Sequence, residues 1–379
     1  MRVLVYVDSV YRRVDGAVYS DVSFTSFLAA LTGEMDVTII GRLTADDGSA
    51  RYRIPDGVRF VALPHYESLS DLRAALGSLG RSLRTFSTAL DDADVTWLFG
   101  PYLHSQLFAA LALLRRRRVV LGVRQHFPDY VRARRPDRRW MHLAADLLEA
   151  GWRIWARRLP TVVVGPALAH NYRHAAALLP IAVSLVSNAD IEAGERAPQR
   201  AYDHTLQILS VGRLDEEKNP LLMADVLAQL HERDQRWCLV VCGEGTLAAA
   251  LAGRLRDLGV ADATHLRGHV GLQDGLWDLY RTSQVFLHIS RTEGFPQVLV
   301  EAFASGIPVV ATAVGGVRAA AAGAALLIEP DDADAAAQAL TAVASDPELR
   351  AQLVASGFAK AHELTREAEI ERVAAFLRE

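Results

Sequence analysis

Short apolar runs alternate with longer amphipathic segments along the whole chain, and the pattern runs twice. The first set of expected strands is Arg2–Val7, Val37–Ile40, Arg59–Leu63, Val95–Phe99, Val119–Val123, Thr161–Val164 and Ala182–Ser187. The second is Leu206–Val211, Trp237–Cys242, Thr264–Arg267, Val285–Ser290, Val309–Thr312 and Ala325–Ile328. Most are rich in Val, Ile and Leu without clean alternation, the pattern of strands covered by helices on both faces. Segments such as Pro220–Glu232 and Thr246–Leu258 read as the intervening helices. The expected architecture is α/β, with two doubly wound parallel sheets whose ligands sit at the carboxyl ends of the strands.

A chain of 379 residues suits two such domains. The polar segment 191–204 lacks an apolar period and reads as the linker. It separates an N-terminal domain (1–190) from a C-terminal one (205–364). A terminal amphipathic helix follows over 365–379, with Ile370, Val373, Phe376 and Leu377 on one side, placed to cross back to the N-terminal domain. The apolar run after Met1 ends at Asp8, too soon for a signal peptide. Val95–Leu114 carries no formal charge, but Gly100-Pro101, His104 and Gln106 break it into strand, turn and helix. Cys238 and Cys242 form neither a disulfide framework nor a CxxC pair, so we expect reduced, buried thiols and a cytoplasmic protein. A net charge of −4 argues against a chain-wide nucleic-acid footprint.

Arginine occurs 39 times and lysine twice, at Lys218 and Lys360. Lys218 lies in GRLDEEKNP, where an expected strand ends and a helix opens at Pro220. Arg213 and Lys218 there put two cations at a carboxyl strand end, as a diphosphate requires. They can equally pair with Asp215, Glu216 and Glu217. A second cluster, SRTEGFPQVLVE, puts Glu293 just after a strand and Glu301 two turns into the next helix. Glu293 is positioned for sugar hydroxyls and Glu301 for a ribose, with amides near Phe295, Gln297, Val298 and Leu299 between them. The bland alternative is a helix N-terminal charge and a partly buried structural glutamate. Gly243-Glu244-Gly245 begins like a dinucleotide fingerprint but lacks the acid at the next strand end. There is no HExxH motif, no Cys/His cluster and no DxD loop in a strand context. Asp46-Asp47 and Asp91-Asp92 read as solvated acids, so no metal is expected.

In order and spacing, GRLDEEKNP, GEG, RGHV, EGFPQVLVE, GIPVV and VGG resemble the retaining GT-B glycosyltransferases of family 4 over about Gly212–Gly316. The N-terminal half matches more loosely, at Asp15-Gly16-Ala17, Gln125-His126-Phe127-Pro128 and Ser187-Asn188-Ala189-Asp190. The resemblance implies a GT-B fold, two Rossmann-like domains facing across a cleft, and sugar transfer from a nucleotide diphosphate sugar to a hydroxyl of a glycan, glycolipid or secondary metabolite. It implies no cofactor beyond that co-substrate. By the same resemblance, Arg213 and Lys218 neutralise the diphosphate, Glu293 holds the transferred sugar and Glu301 binds the ribose. Gly294, Phe295, Pro296, Val298 and Leu299 line the sugar and phosphates, and Gly243, Glu244 and His269 belong to the donor set. Gly16 lets a loop approach the diphosphate, and His126 sits at the sugar's reactive face. Two points depart from the family pattern: one glycine in the first loop instead of two, and Arg318 where a Glu usually follows the VGG turn. A non-catalytic nucleotide-sugar-binding protein and a sugar-nucleotide epimerase remain as alternatives on the same fold.

The segment 112–160 holds thirteen arginines against four acids, a local charge of +9 in an otherwise acidic chain. It also carries Trp140, Trp152 and Trp155. Trp140, Leu143, Leu147, Gly151, Ile154 and Trp155 recur at helical spacing. Three readings stay open: contact with an anionic membrane, a core-facing stripe with a solvated arginine face, or a pocket for a phosphorylated acceptor. Nucleic acid is not expected as a partner.

Overall fold

Val3, Val5 and Val7 are buried on one side of the first strand, and Leu4 and Tyr6 on the other. Such a strand has helices over both faces, which is why its sequence shows no alternation. It belongs to the first of two units seen in the computed structural model, which describes residues 1–20, 22, 24–44, 52–65 and 72–379. Asp46-Asp47 lie outside the described residues. Unit one comprises Met1–Val183 and Ala368–Glu379, and unit two Ser184–Glu367.

Unit one contains β1 (Arg2–Val14), β2 (Ala17–Ser20), β3 (Asp36–Thr44), β4 (Tyr52–Arg53), β5 (Arg59–Leu63), β6 (Val95–Gly100), β7 (Arg118–Val123), β8 (Pro160–Val164) and β9 (Ala177–Ile181). Its parallel part runs in the order β5-β3-β1-β6-β7-β8-β9. The neutral run Val95–Leu114 resolves into β6, a turn and the helix Leu103–Leu114. Among the described residues, no helix is long and apolar enough to cross a membrane. Asp91 and Asp92 form exposed ion pairs with Arg115 and Arg59, both at 3.0 Å.

Two features of this unit differ from the sequence expectation. β1 does not stop at Val7. It continues to Val14 and turns back through Asp15 and Gly16 into β2, antiparallel. Both turn residues have positive φ (48° and 82°), as a two-residue hairpin of this hand needs. Gly16 is therefore at a hairpin tip. The last strand is Ala177–Ile181, not Ala182–Ser187. As an edge strand β9 tolerates Pro180. Beyond it, side chains claim the backbone: Ala182 N donates to Glu369 (3.2 Å) and Val186 N to Ser184 Oγ (3.2 Å).

The terminal helix Arg366–Arg378 buries Ile370, Val373, Ala374 and Leu377 in the core of unit one. Arg378 fixes its end by pairing with Glu34 at 2.7 Å.

Unit two contains β10 (Leu206–Val211), β11 (Trp237–Cys242), β12 (Thr264–Gly268), β13 (Val285–His288), β14 (Val309–Thr312) and β15 (Leu326–Ile328). All are parallel, in the order β12-β11-β10-β13-β14-β15. The order reverses between β10 and β13, and a crevice opens at that point in a doubly wound sheet. Cys238 and Cys242 are free thiols, and burial pushes Cys242 up to about 11.

The polar stretch 191–204 is not a linker; it packs into unit two. Ser187 and Asp190 form a capping box that starts the helix Asn188–Glu195. Ile191 is fully buried, and Arg200 donates to the carbonyls of Ser283 (2.7 Å) and Gly306 (2.6 Å). The helix approaches Gln297–Ala304 through Gly194, where an added Cβ would stand 2.0 Å from Ala304 O. Gly194→Ala should therefore destabilise the protein by about 1–3 kcal/mol, the range for overpacking, as measured by urea unfolding.

Candidate functional site

Two loops meet at the strand-order reversal of unit two. After β10 the chain runs through Arg213 and Asp215 into the single turn Glu216–Lys218. After β13 it runs through Ser290 and Glu293 to Pro296, which precedes the helix Gln297–Ala304. Lys218 Nζ donates to Glu293 Oε1 in an ion pair that is mostly buried.

Several contacts hold this pair in place. Arg291 N donates to Glu217 O at 2.8 Å, tying one loop to the other. Asp331 Oδ1 accepts from Asn219 Nδ2 and Arg291 Nε, each at 2.9 Å, so one carboxylate braces both. Asn219 adopts a left-handed φ of 53°, a conformation that asparagine tolerates better than most residues. The Val314-Gly315-Gly316 turn lies directly against the Glu293 loop. A Cβ on Gly315 would stand 2.1 Å from Glu293 O, and one on Gly316 1.9 Å from Gly294 O. Gly316 N also donates to Glu293 O at 3.0 Å.

His288 was not singled out from the sequence. It is a buried polar residue at the end of an apolar strand, and its Nε2 lies 3.3 Å from Glu293 Oε1. Ser290 Oγ donates to the same oxygen at 3.4 Å. Burial works to raise the Glu293 carboxyl, but His288 and the Lys218 ammonium outweigh it and hold the group down at about 2. Glu293 is thus a fixed anion, and Lys218 and His288 beside it are part of the site.

Glu301 is in the opposite state. It is buried on the helix Gln297–Ala304, and its Oε2 accepts from Tyr280 Oη at 2.9 Å. Burial pushes its carboxyl up to about 7, against the smaller effect of the tyrosine hydrogen bond. No cation of the described residues pairs with it.

Arg213 is exposed and engages Asp215 (2.5 Å) and Glu217. Such exposed pairs contribute roughly 0–1 kcal/mol, so an incoming dianion can displace them. The glycines of the GEG motif fit the first loop closely: added Cβ atoms on Gly243 and Gly245 would stand 1.7 Å from Gly212 O and 2.4 Å from Leu214 C. Glu244 is exposed beside them, and His269 is exposed after β12. Gly294 is exposed, Phe295 and Val298 are half-buried, and Pro296 is buried. Leu299 is wholly buried and its amide donates to Pro296 O at 3.1 Å, so that amide is already engaged. Arg318 is exposed, 3.5 Å from Glu329. Among the described residues, no group of three or more His, Cys, Asp or Glu side chains could hold a metal ion.

His126 and Gly16 belong to unit one. His126 precedes the helix Phe127–Arg134, with Nδ1 2.7 Å from Asp129 Oδ2.

Residues 193–360 match the family described as Glycosyl transferases group 1. Sucrose-phosphate synthase from Thermosynechococcus elongatus superposes with a TM-score of 0.71 at 18% identity, covering 100% of this chain and 98% of that one. The Anabaena protein HepE, solved in complex with UDP and glucose, superposes at 0.69 with 17% identity over 100% and 99%. Residues 193–360 belong to glycosyltransferase group 1, family 4, and the fold is GT-B. The resemblance read from GRLDEEKNP and EGFPQVLVE therefore holds. Mannosylfructose-phosphate synthase of Agrobacterium fabrum is 37% identical over 117 residues, 29% of this chain and 26% of that protein. The match thus spans about a quarter of that relative's length.

The state of Glu301 makes the stability of this protein pH-dependent. Its ordinary value of 4.5 is raised to about 7 in the folded protein. Between these pH values the native form keeps a proton that the unfolded chain has lost, so stability falls as pH rises from 4.5 to 7 and levels off above. The span corresponds to roughly 3 kcal/mol. Glu301→Gln should remove this contribution to the slope, read as the melting temperature of the nucleotide-free protein at pH 5 and pH 8.

Proposed function

We propose that the protein transfers a sugar from a nucleoside diphosphate sugar to an acceptor hydroxyl with retention of configuration. The observation that carries this reading is the buried Lys218–Glu293 pair at the strand-order reversal of unit two. Lys218 and Arg213 supply positive charge for a leaving diphosphate, and Glu293 supplies an anion that accepts from sugar hydroxyls. Neither cation requires a metal to be useful, because charge that develops on the leaving oxygens is stabilised directly. Lys218 has three N–H donors and can keep Glu293 while donating to a phosphate oxygen.

In the proposed reaction, the acceptor oxygen bonds to the anomeric carbon on the face that the diphosphate leaves. The bond from that carbon to the leaving β-phosphate oxygen breaks, and that oxygen takes the acceptor's proton. No protein nucleophile is needed. Glu301 Oε1, which has no hydrogen bond among the described residues, is assigned to the ribose hydroxyls. His126 is assigned to the sugar's reactive face, and the exposed amides around Gly294 to sugar and phosphate. Gly243, Glu244, Phe295, Pro296, Val298 and His269 are kept in the donor set. For Gly16 and Leu299, the hairpin tip and the engaged amide argue against direct donor contact. UDP is the first base to test, because HepE is described in complex with UDP and glucose.

Purified protein should hydrolyse or transfer from a UDP-sugar, detected as UDP release. Lys218→Ala should lower that turnover by roughly 10²–10³-fold, the scale for losing one preorganised donor to a developing charge. Turnover near wild type in this variant would overturn the diphosphate assignment. Glu301→Ala should weaken nucleotide binding by about 1.5–3 kcal/mol, measured by titration calorimetry with UDP. Unchanged affinity in a folded variant would leave Glu301 a structural residue.

A further inference from the structure

The helix Arg139–Ala156 presents an apolar face outward. Trp140, Leu143, Leu147 and Ile154 are exposed at 48%, 62%, 65% and 57%, while Ala145, Glu149, Trp152 and Ala156 on the other side are buried. The exposed four are separated by three, four and seven residues, so they share one face. They extend over fifteen residues, an axial rise of about 21 Å. Single exposed apolar side chains are ordinary, but a continuous stripe of four needs an occupant.

The charge around the stripe identifies that occupant. Arg138 and Arg139 stand exposed at its start, and Arg153, Arg157 and Arg158 at its end. Arg138, Arg139, Arg157 and Arg158 form no ion pair with any described residue. Asp146 beside the stripe is taken by Arg132 at 2.7 Å. A second copy of this chain fits poorly, because a two-fold contact through this face would bring arginines against arginines. A surface that is apolar inside and anionic at its edge fits both parts.

We propose that this face docks unit one on an anionic lipid surface, with the helix lying in the plane of the interface. Leu143, Leu147 and Ile154 enter the acyl boundary, Trp140 sits at headgroup level, and the terminal arginines meet lipid phosphates. This placement is independent of the donor chemistry proposed above.

The test is co-sedimentation of the full chain with vesicles of phosphatidylcholine, alone or with about 30% phosphatidylglycerol. Binding is expected to the anionic vesicles only, and to fall steeply at about 0.5 M salt, where screening shortens to a few ångströms. Leu143→Glu with Leu147→Glu should lower the binding by at least about tenfold, and so should Arg157→Gln with Arg158→Gln. The arginine pair tests the proposal on its own if the leucine variant does not fold. The UDP-induced rise in melting temperature should persist in both variants, which separates this result from a failure of the donor assignment. Three results would overturn the proposal. These are no binding to anionic vesicles at low salt, wild-type binding by both variants, or a dimer that the leucine variant dissociates without any vesicle binding.

Discussion

The Lys218–Glu293 pair depends on the reversal of strand order between β10 and β13. Neighbouring parallel strands elsewhere in the sheet send their following segments to the same side. At the reversal the two segments part, and the loops that begin them are left facing each other. Charged side chains from both loops then lie at one place, partly withdrawn from water. A buried charge without a partner is costly, so each member of the pair requires the other. The surrounding contacts (Asp331 on Asn219 and Arg291, the Gly315-Gly316 turn under Glu293) fix the distance between the loops.

The two glutamates of one short motif show how environment sets chemistry. Glu293 and Glu301 are eight positions apart, and burial raises both. Glu293 has Lys218 and His288 beside it and is held down at about 2. Glu301 has only the Tyr280 hydroxyl and is pushed up to about 7. Among the described residues, no cation pairs with Glu301. One residue is thus a permanent anion and the other a carboxyl poised near neutrality, which suits hydroxyl groups more than a second positive partner.

Unit one presents a different balance. Its helix Arg139–Ala156 buries Trp152 against β6, where a Cβ on Gly100 would stand 2.5 Å from the indole, and leaves Trp140 exposed. The helical spacing of Trp140, Leu143, Leu147 and Ile154 was visible in the sequence. Which side of the helix met the core was not. Spacing defines a face, but the opposite face carries Ala145, Trp152 and Ala156 and is equally able to pack. The bland expectation of a core-facing stripe therefore fails for these four residues.

The sequence by itself determined the double strand–helix alternation, the family motifs and the residue types at the site. These rest on local patterns: apolar runs, glycine spacing, and an isolated lysine in an arginine-rich chain. Only tertiary structure decided that Lys218 pairs with Glu293, that His288 joins them, and that Asp331 braces both loops, because these contacts join residues 75, 5, and up to 112 positions apart. It also decided where the units divide. The stretch 191–204 is polar enough to read as a linker, but Ile191 in it is buried and Arg200 is spent on the carbonyls of Ser283 and Gly306. Polarity records that a group needs a partner, and the folded chain alone determines whether water or protein provides it.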